Sequence, residues 1–199
     1  PPPPPFFFHP HPGNPDAQES RGLGDVYKRQ NKNKLLKIIE KKVLWLSCWM
    51  IHNANHLRNN EDGLKVGGHQ ASSASIVSIM TALYFNILRP EDRVAVKPHA
   101  SPVFHAIQYL SGLQTRENIE NFRGFGGAQS YPSRTKDIDD VDISTGSVGL
   151  GVAMTSFLSL TQDYIRQKSF NKYNKIGKMI ALVGDAEQYC LLPSTAKYC

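Results

Sequence analysis

The chain has 199 residues, of which 40% are hydrophobic, 10% aromatic and 20% charged, a balance that fits a globular protein with one ordinary core. It contains no apolar run of the 18 or more residues that a membrane-spanning helix needs, so no membrane span is expected. The net charge of +6 lies wholly between Lys28 and Lys42, where seven basic residues face the single acid Glu40. The rest of the chain carries 16 basic and 16 acidic groups, so the basic face of a nucleic-acid binder is not expected.

From the amino end, eight of the 13 prolines fall in the first 15 residues, beside Phe6, Phe7 and Phe8. Residues 1–30 lack helical or strand periodicity and read as a disordered or non-native leader. Neither a charged n-region nor a long apolar h-region is visible there. Leu35, Ile39, Val43, Leu46 and Met50 then recur at three- and four-residue spacing, which predicts an amphipathic helix over 32 to about 56 with its lysines in solvent. A second helix is predicted over 70–88 on the stripe Ile76, Met80, Leu83 and Ile87, ended by Arg89-Pro90. A short strand follows at 93–97. Next come a helix over 101–111, with Pro102 in its first turn and Gly112 past its end, and a short helix near 115–122. Residues 141–144 are compatible with a strand, 148–167 with a long buried helix, and 179–183 with a last strand. Helices alternating with short apolar strands predict an α/β fold, a parallel sheet with helices on both faces. After the Gly184-Asp185 turn, Pro193 comes too early for the expected helix. Residues 188–199 therefore read as a divergent tail, and the whole as a fragment.

Four loops place glycine or histidine where a helix should begin: 67–70, 97–102, 144–151 and 184–187. In a parallel sheet such loops gather at the carboxyl edge, where ligands bind. Glycines let a phosphate approach the backbone, and helix N-termini offer it N–H donors. An acid after an apolar strand, Asp185, suits magnesium. Each feature also has a structural reading: a tight turn at Gly67-Gly68, or a hydrogen-bonded histidine at His69. GSVGLG has the spacing GxxGxG and is not a dinucleotide fingerprint. His52 and His56 stand four apart, a zinc-ligand spacing, without a third ligand or an HExxH pattern. His105 reads as structural, and Asp137, Asp139, Asp140 and Asp142 as a solvated loop. Cys48, Cys190 and Cys199 form no CxxC pair, which suits a reducing, cytoplasmic setting. On the residues alone, the chain reads as an α/β domain that binds a phosphate-bearing cofactor.

The succession GGHQASSASIVSIMTALYF, DRVAVKPHASPVFHAIQYL, FRGFGGAQSYPSR, DISTGSVGLGVAMTSFLSL and ALVGDAE resembles the thiamine-diphosphate-dependent transketolase superfamily. Within it the likeness is greatest to the homodimeric type of the decarboxylating component of pyruvate dehydrogenase. The resemblance implies a partial thiamine-diphosphate-binding domain over 31–187. It implies catalytic roles for His69 and His99, with His99 also near the diphosphate. Gly146, Ser147, Val148 and Gly149 would lie along the cofactor, Gly184 and Ala186 beside the diphosphate, and Asp185 on magnesium. Ala186 departs from the broader GDG pattern.

The implied reaction is oxidative decarboxylation of pyruvate, with the acetyl unit passed to a lipoyl-bearing acyltransferase subunit in an enzyme that is a homodimer. The initiating glutamate of the family belongs to a second domain, so the isolated chain is expected to be inactive. The alternatives are a transketolase-type two-carbon transfer, a non-catalytic diphosphate or nucleotide module, and an interaction fragment.

Overall fold

The structure is a computed structural model and describes residues 21–60, 63–168, 170 and 176–184. The chain divides into two units, Pro1–Leu35 and Leu36–Cys199. The described part of the first is the opening of helix α1 (Arg21–His52), which begins well before the predicted start at 32.

In the second unit the predicted stripe of α1 faces inward. Val43 and Met50 are fully buried, Ile39 and Leu46 pack against the same cluster, and Trp45 stays exposed. Ser47 is buried on that stripe, and its hydroxyl donates back to the Leu44 carbonyl at 2.9 Å. That local bond spares the interior an unpaired polar group. A π-helical turn, Asn53–Leu57, ends the helix.

The predicted helix over 70–88 is interrupted. It consists of α2 (Gln70–Ala74), α3 (Val77–Ala82) and a π-helical turn, Leu83–Ile87. The break lies in the serine-rich stretch. The Ser75 hydroxyl donates to the Ser72 carbonyl, and the Ile76 N–H turns to the Ser73 carbonyl three residues back. Serine hydroxyls compete in this way with the helical ladder.

Strands β1 (Arg93–Ala95) and β2 (Met179–Ala181) pair in parallel, with Val94 opposite Ile180. The observed fold is thus helix-rich around a small parallel sheet. Alternation along the strands divides its faces. Val94 and Val96 join the hydrophobic cluster, and Ile180 and Leu182 pack against it. Ala95 points the other way, towards Gly151 of helix α6 (Leu150–Gln167), where an added Cβ would come within 3.2 Å of the Ala95 Cβ. Between the strands lie a 3-10 turn, Pro98–Ala100, the helix α4 (Ser101–Leu110) and the helix α5 (Arg116–Glu120). The buried side chains of α4, among them Val103, Phe104 and Ile107, fill the cluster centre. Thr115 caps α5 by accepting the Asn118 N–H.

Two expectations fail. Residues 141–144 form no strand. The Asp142 carboxylate instead accepts the Val94 N–H at 2.9 Å, so a side chain satisfies the β1 edge that faces away from β2. Nor is α6 buried. Thr155 is its one buried residue, while Phe157 and Leu160 are 66% and 65% exposed. Small residues let its inner face approach the sheet, and among the described residues nothing covers its apolar outer face.

Candidate active site

The carboxyl ends of the two parallel strands define the site. Beyond β1 the chain passes Lys97 and turns through Pro98–Ala100, which sets His99 just past the strand end with an exposed side chain. Beyond β2 it reaches Gly184. The glycine loop is fastened to the same edge, because the Thr145 hydroxyl donates to the Val96 carbonyl at 2.7 Å. Gly146 is half-buried, and an added Cβ there would meet only the Tyr131 ring, at 3.7 Å. Ser147 and Val148 are exposed, and the buried Gly149, at φ 82°, turns the chain into α6 in the left-handed region.

His69 arrives from a different part of the chain, and its approach is held from several sides. Asn55 clamps Gly67 twice: its amide nitrogen donates to the Gly67 carbonyl, and its oxygen accepts the Gly67 N–H, both at 3.0 Å. Arg123 donates to the Val66 carbonyl at 2.7 Å, and Gln70 to the Cys48 carbonyl at 3.2 Å. Gly68, at φ 124°, lies so close to Ile51 that an added Cβ would sit 3.0 Å from the Ile51 side chain. These contacts lay the segment along the end of α1. The His69 ring then meets the His99 ring edge-on, with centroids 4.9 Å apart. The Ser73 hydroxyl donates to the His99 carbonyl at 3.4 Å, which ties α2 to the turn after β1.

Of the residues singled out in the sequence, His69 and His99 are therefore in contact. The Gly146, Ser147, Val148 and Gly149 loop is anchored to the end of β1, and Gly184 follows the end of β2. Asp185 and Ala186 lie outside the described residues. Sequence reading missed Asn55, Arg123 and Thr145 as the groups that position the site. An asparagine inside a helix and an arginine in a glycine-rich loop carry no pattern that announces a clamp.

The acid-rich loop was misread as solvated. The Asp139 side chain is fully buried, and its Oδ2 lies 2.5 Å from Nδ1 of the equally buried His105. Gln114 donates to its other oxygen. Asp137 accepts the Gln129 and Ser133 N–H groups at 2.9 and 2.8 Å. Burial raises the Asp142 carboxyl above the usual carboxylate range, opposed by the Val94 N–H and then Arg93. These contacts fold the 129–145 segment against α4 and β1.

The arrangement suits a phosphorylated cofactor. The first N–H groups of a helix lack intrahelical acceptors. On α6, which is 18 residues long, they follow an open, glycine-lined loop, with the Leu150 N–H turned back to the Ser147 carbonyl at 3.2 Å and the donors after it facing onward. Two imidazoles stand where a polar substrate could accept their hydrogen bonds. Among the described residues no group of three or more His, Cys, Asp or Glu is arranged to hold a metal ion.

No family model matches the chain. Its curated relatives are enzymes of the class that the motifs implied, the thiamine-diphosphate-dependent superfamily. The chain is 29% identical over 182 residues to the pyruvate dehydrogenase E1 component of Pseudomonas aeruginosa, covering 87% of this chain and 19% of that protein. It is 26% identical over 156 residues to the pyruvate dehydrogenase E1 component of Mycolicibacterium smegmatis, covering 73% and 16%. Transketolase-like protein 2 of Mus musculus is 29% identical over 131 residues, covering 60% and 20%. The chain spans about a fifth or less of the length of these relatives.

Proposed function

We propose that residues 31–187 are part of the diphosphate-binding domain of a cytoplasmic, thiamine-diphosphate-dependent enzyme that decarboxylates pyruvate oxidatively. The observation that carries this reading is the meeting of His69 and His99 at the carboxyl edge of a parallel sheet. The relatives named pyruvate dehydrogenase E1 component support the reaction class.

In this reading the backbone N–H groups of Gly146, Ser147, Val148 and Gly149, with the start of α6, bind the diphosphate. Gly184 and Ala186 lie beside it, and Asp185 holds magnesium, which takes few carboxylates and shares phosphate oxygens. Thiamine diphosphate, when bound, supplies the nucleophilic carbon and the electron sink that protein side chains lack. His69 and His99 donate hydrogen bonds to the keto oxygen and stabilise the negative charge that develops on it. Either ring can also carry a proton between substrate and solvent, because each imidazole nitrogen can donate or accept one. A lipoyl-bearing acyltransferase subunit receives the acetyl unit. A second copy of the protein completes the site, and the exposed apolar side of α6 supports a further covering layer in the assembled enzyme.

The test is thiamine-diphosphate-dependent release of carbon dioxide from pyruvate by protein expressed from the intact coding frame. His69→Ala and His99→Ala are each expected to lower kcat about 100-fold or more while cofactor affinity changes less. Activity without thiamine diphosphate overturns the reading. Turnover of ketose donors in place of pyruvate favours the second reading, a transketolase-type two-carbon transfer, which the Mus musculus relative supports.

A further inference from the structure

The other close histidine pair plays no part in that reaction. His52 ends α1, His56 lies in the π-helical turn after it, and their ring centroids are 4.9 Å apart with the planes inclined by 32°. Both side chains are exposed, and among the described residues neither ring makes a hydrogen bond or an ion pair. The backbone beneath them is pinned. Asn55, between them in sequence, donates to the Ile51 carbonyl at 2.7 Å and clamps Gly67 on both sides. Asn53 donates to the Glu120 carbonyl, and Asn60 to the carbonyl of Ala54. The two imidazoles therefore project from one fixed turn.

We propose that His52 and His56 form a bidentate site for a divalent transition-metal ion of the zinc or copper kind. Imidazole nitrogen suits these ions, whereas magnesium prefers oxygen. The spacing fits as well. With metal–nitrogen bonds of about 2.0–2.1 Å, two imidazoles on one ion hold their ring centres roughly 4.5 Å apart at a right angle and about 5.2 Å apart at a tetrahedral angle. The observed 4.9 Å lies between the two; His69 and His99 stand equally far apart but are already assigned to the proposed substrate site, whereas His52 and His56 have no other role. Among the described residues no third His, Cys, Asp or Glu completes a cluster, and both imidazoles are exposed, so solvent reaches the remaining positions. The site is consequently open and exchanges with solvent, unlike a closed structural zinc centre. It does not depend on the proposed cofactor, since neither histidine is assigned to the cofactor or the substrate.

The test is a zinc titration of the untagged chain against a competing chelating dye, with the same titration on variants. One ion per chain is expected, with affinity weakened at least tenfold by either His56→Gln or His52→Gln, because one imidazole forfeits the chelate. The double variants His9→Gln/His11→Gln and His69→Gln/His99→Gln are expected to bind zinc as the parent does. A copper-loaded parent chain gives a check that needs no variant: its electron paramagnetic resonance spectrum should carry the couplings of two nitrogens. The proposal is overturned by unchanged affinity in the His52 and His56 variants, by an ion that follows either of the other pairs, by no binding below millimolar zinc, or by any other nitrogen count.

Discussion

His105 shows how much a single buried side chain can organise. Its Nε2 lies 2.9 Å from the Gln129 carbonyl, which can only accept, so that nitrogen carries a proton. Its Nδ1 faces Asp139, whose other oxygen is taken by Gln114. One carboxylate thus ties the 129–145 segment to α4 and to the loop just after it, 34 and 25 residues back. Asp139→Asn or Asp139→Ala is expected to cost about 1–3 kcal/mol in urea unfolding, the usual result of leaving buried polar groups without their partner. A loss below about 1 kcal/mol contradicts the assignment.

Asp92 is expected to control the acid limb of stability. The Lys178 N–H, together with Arg89, holds its carboxyl at about 2 against the opposing effect of burial. The folded value is below the ordinary one of about 4, so the contribution is complete above that pH and is lost as pH falls from about 4 through about 2. In Asp92→Asn the fall of the melting temperature across that window is expected to be shallower than in the parent. Parallel curves exclude the role. Asp139 could not be read from sequence, where a run of acids looks like solvent-facing charge because its partners are remote, and the Lys178 N–H on Asp92 comes from 86 residues away. His105 was legible as structural, since a lone histidine among apolar residues in a helix is more often packed than reactive.

At the scale of elements, punctuation proved more legible than packing. Glycine and proline marked the ends of α4 and the start of α6 because they act through local backbone sterics. The expected strands at 93–97 and 179–183 are present in shorter form, and pair in parallel as their apolar character implied. What escaped depended on distant partners. The break in the helix over 70–88 comes from hydroxyl competition, and the missing strand at 141–144 from the Asp142 carboxylate on β1. The apolar content of 148–167 marked a helix but could not say whether another element covers it, so the expected burial failed. Gly149 offers a direct check on the entry to that helix. At φ 82°, Gly149→Ala is expected to lose about 1–2 kcal/mol of stability. It should also weaken thiamine diphosphate binding more than tenfold, since the loop that carries the proposed donors must then shift. Unaltered cofactor affinity in a folded Gly149→Ala protein removes the loop from the site.

For the whole molecule, the sequence led to the histidine pair and the glycine loop, and the fold brings the first pair into contact and fastens the second feature to the same sheet edge. The contacts that make this possible, through Asn55, Arg123 and Thr145, belong to three-dimensional packing and leave no periodic trace. Among the described residues no helix is long and apolar enough to cross a membrane. The most direct measurement is a calorimetric titration of the chain with thiamine diphosphate and magnesium, repeated in the presence of excess ADP. Saturable binding is expected, unchanged by ADP and weakened by His99→Ala and Gly149→Ala. Displacement by ADP, or no binding of thiamine diphosphate at millimolar concentration, contradicts it.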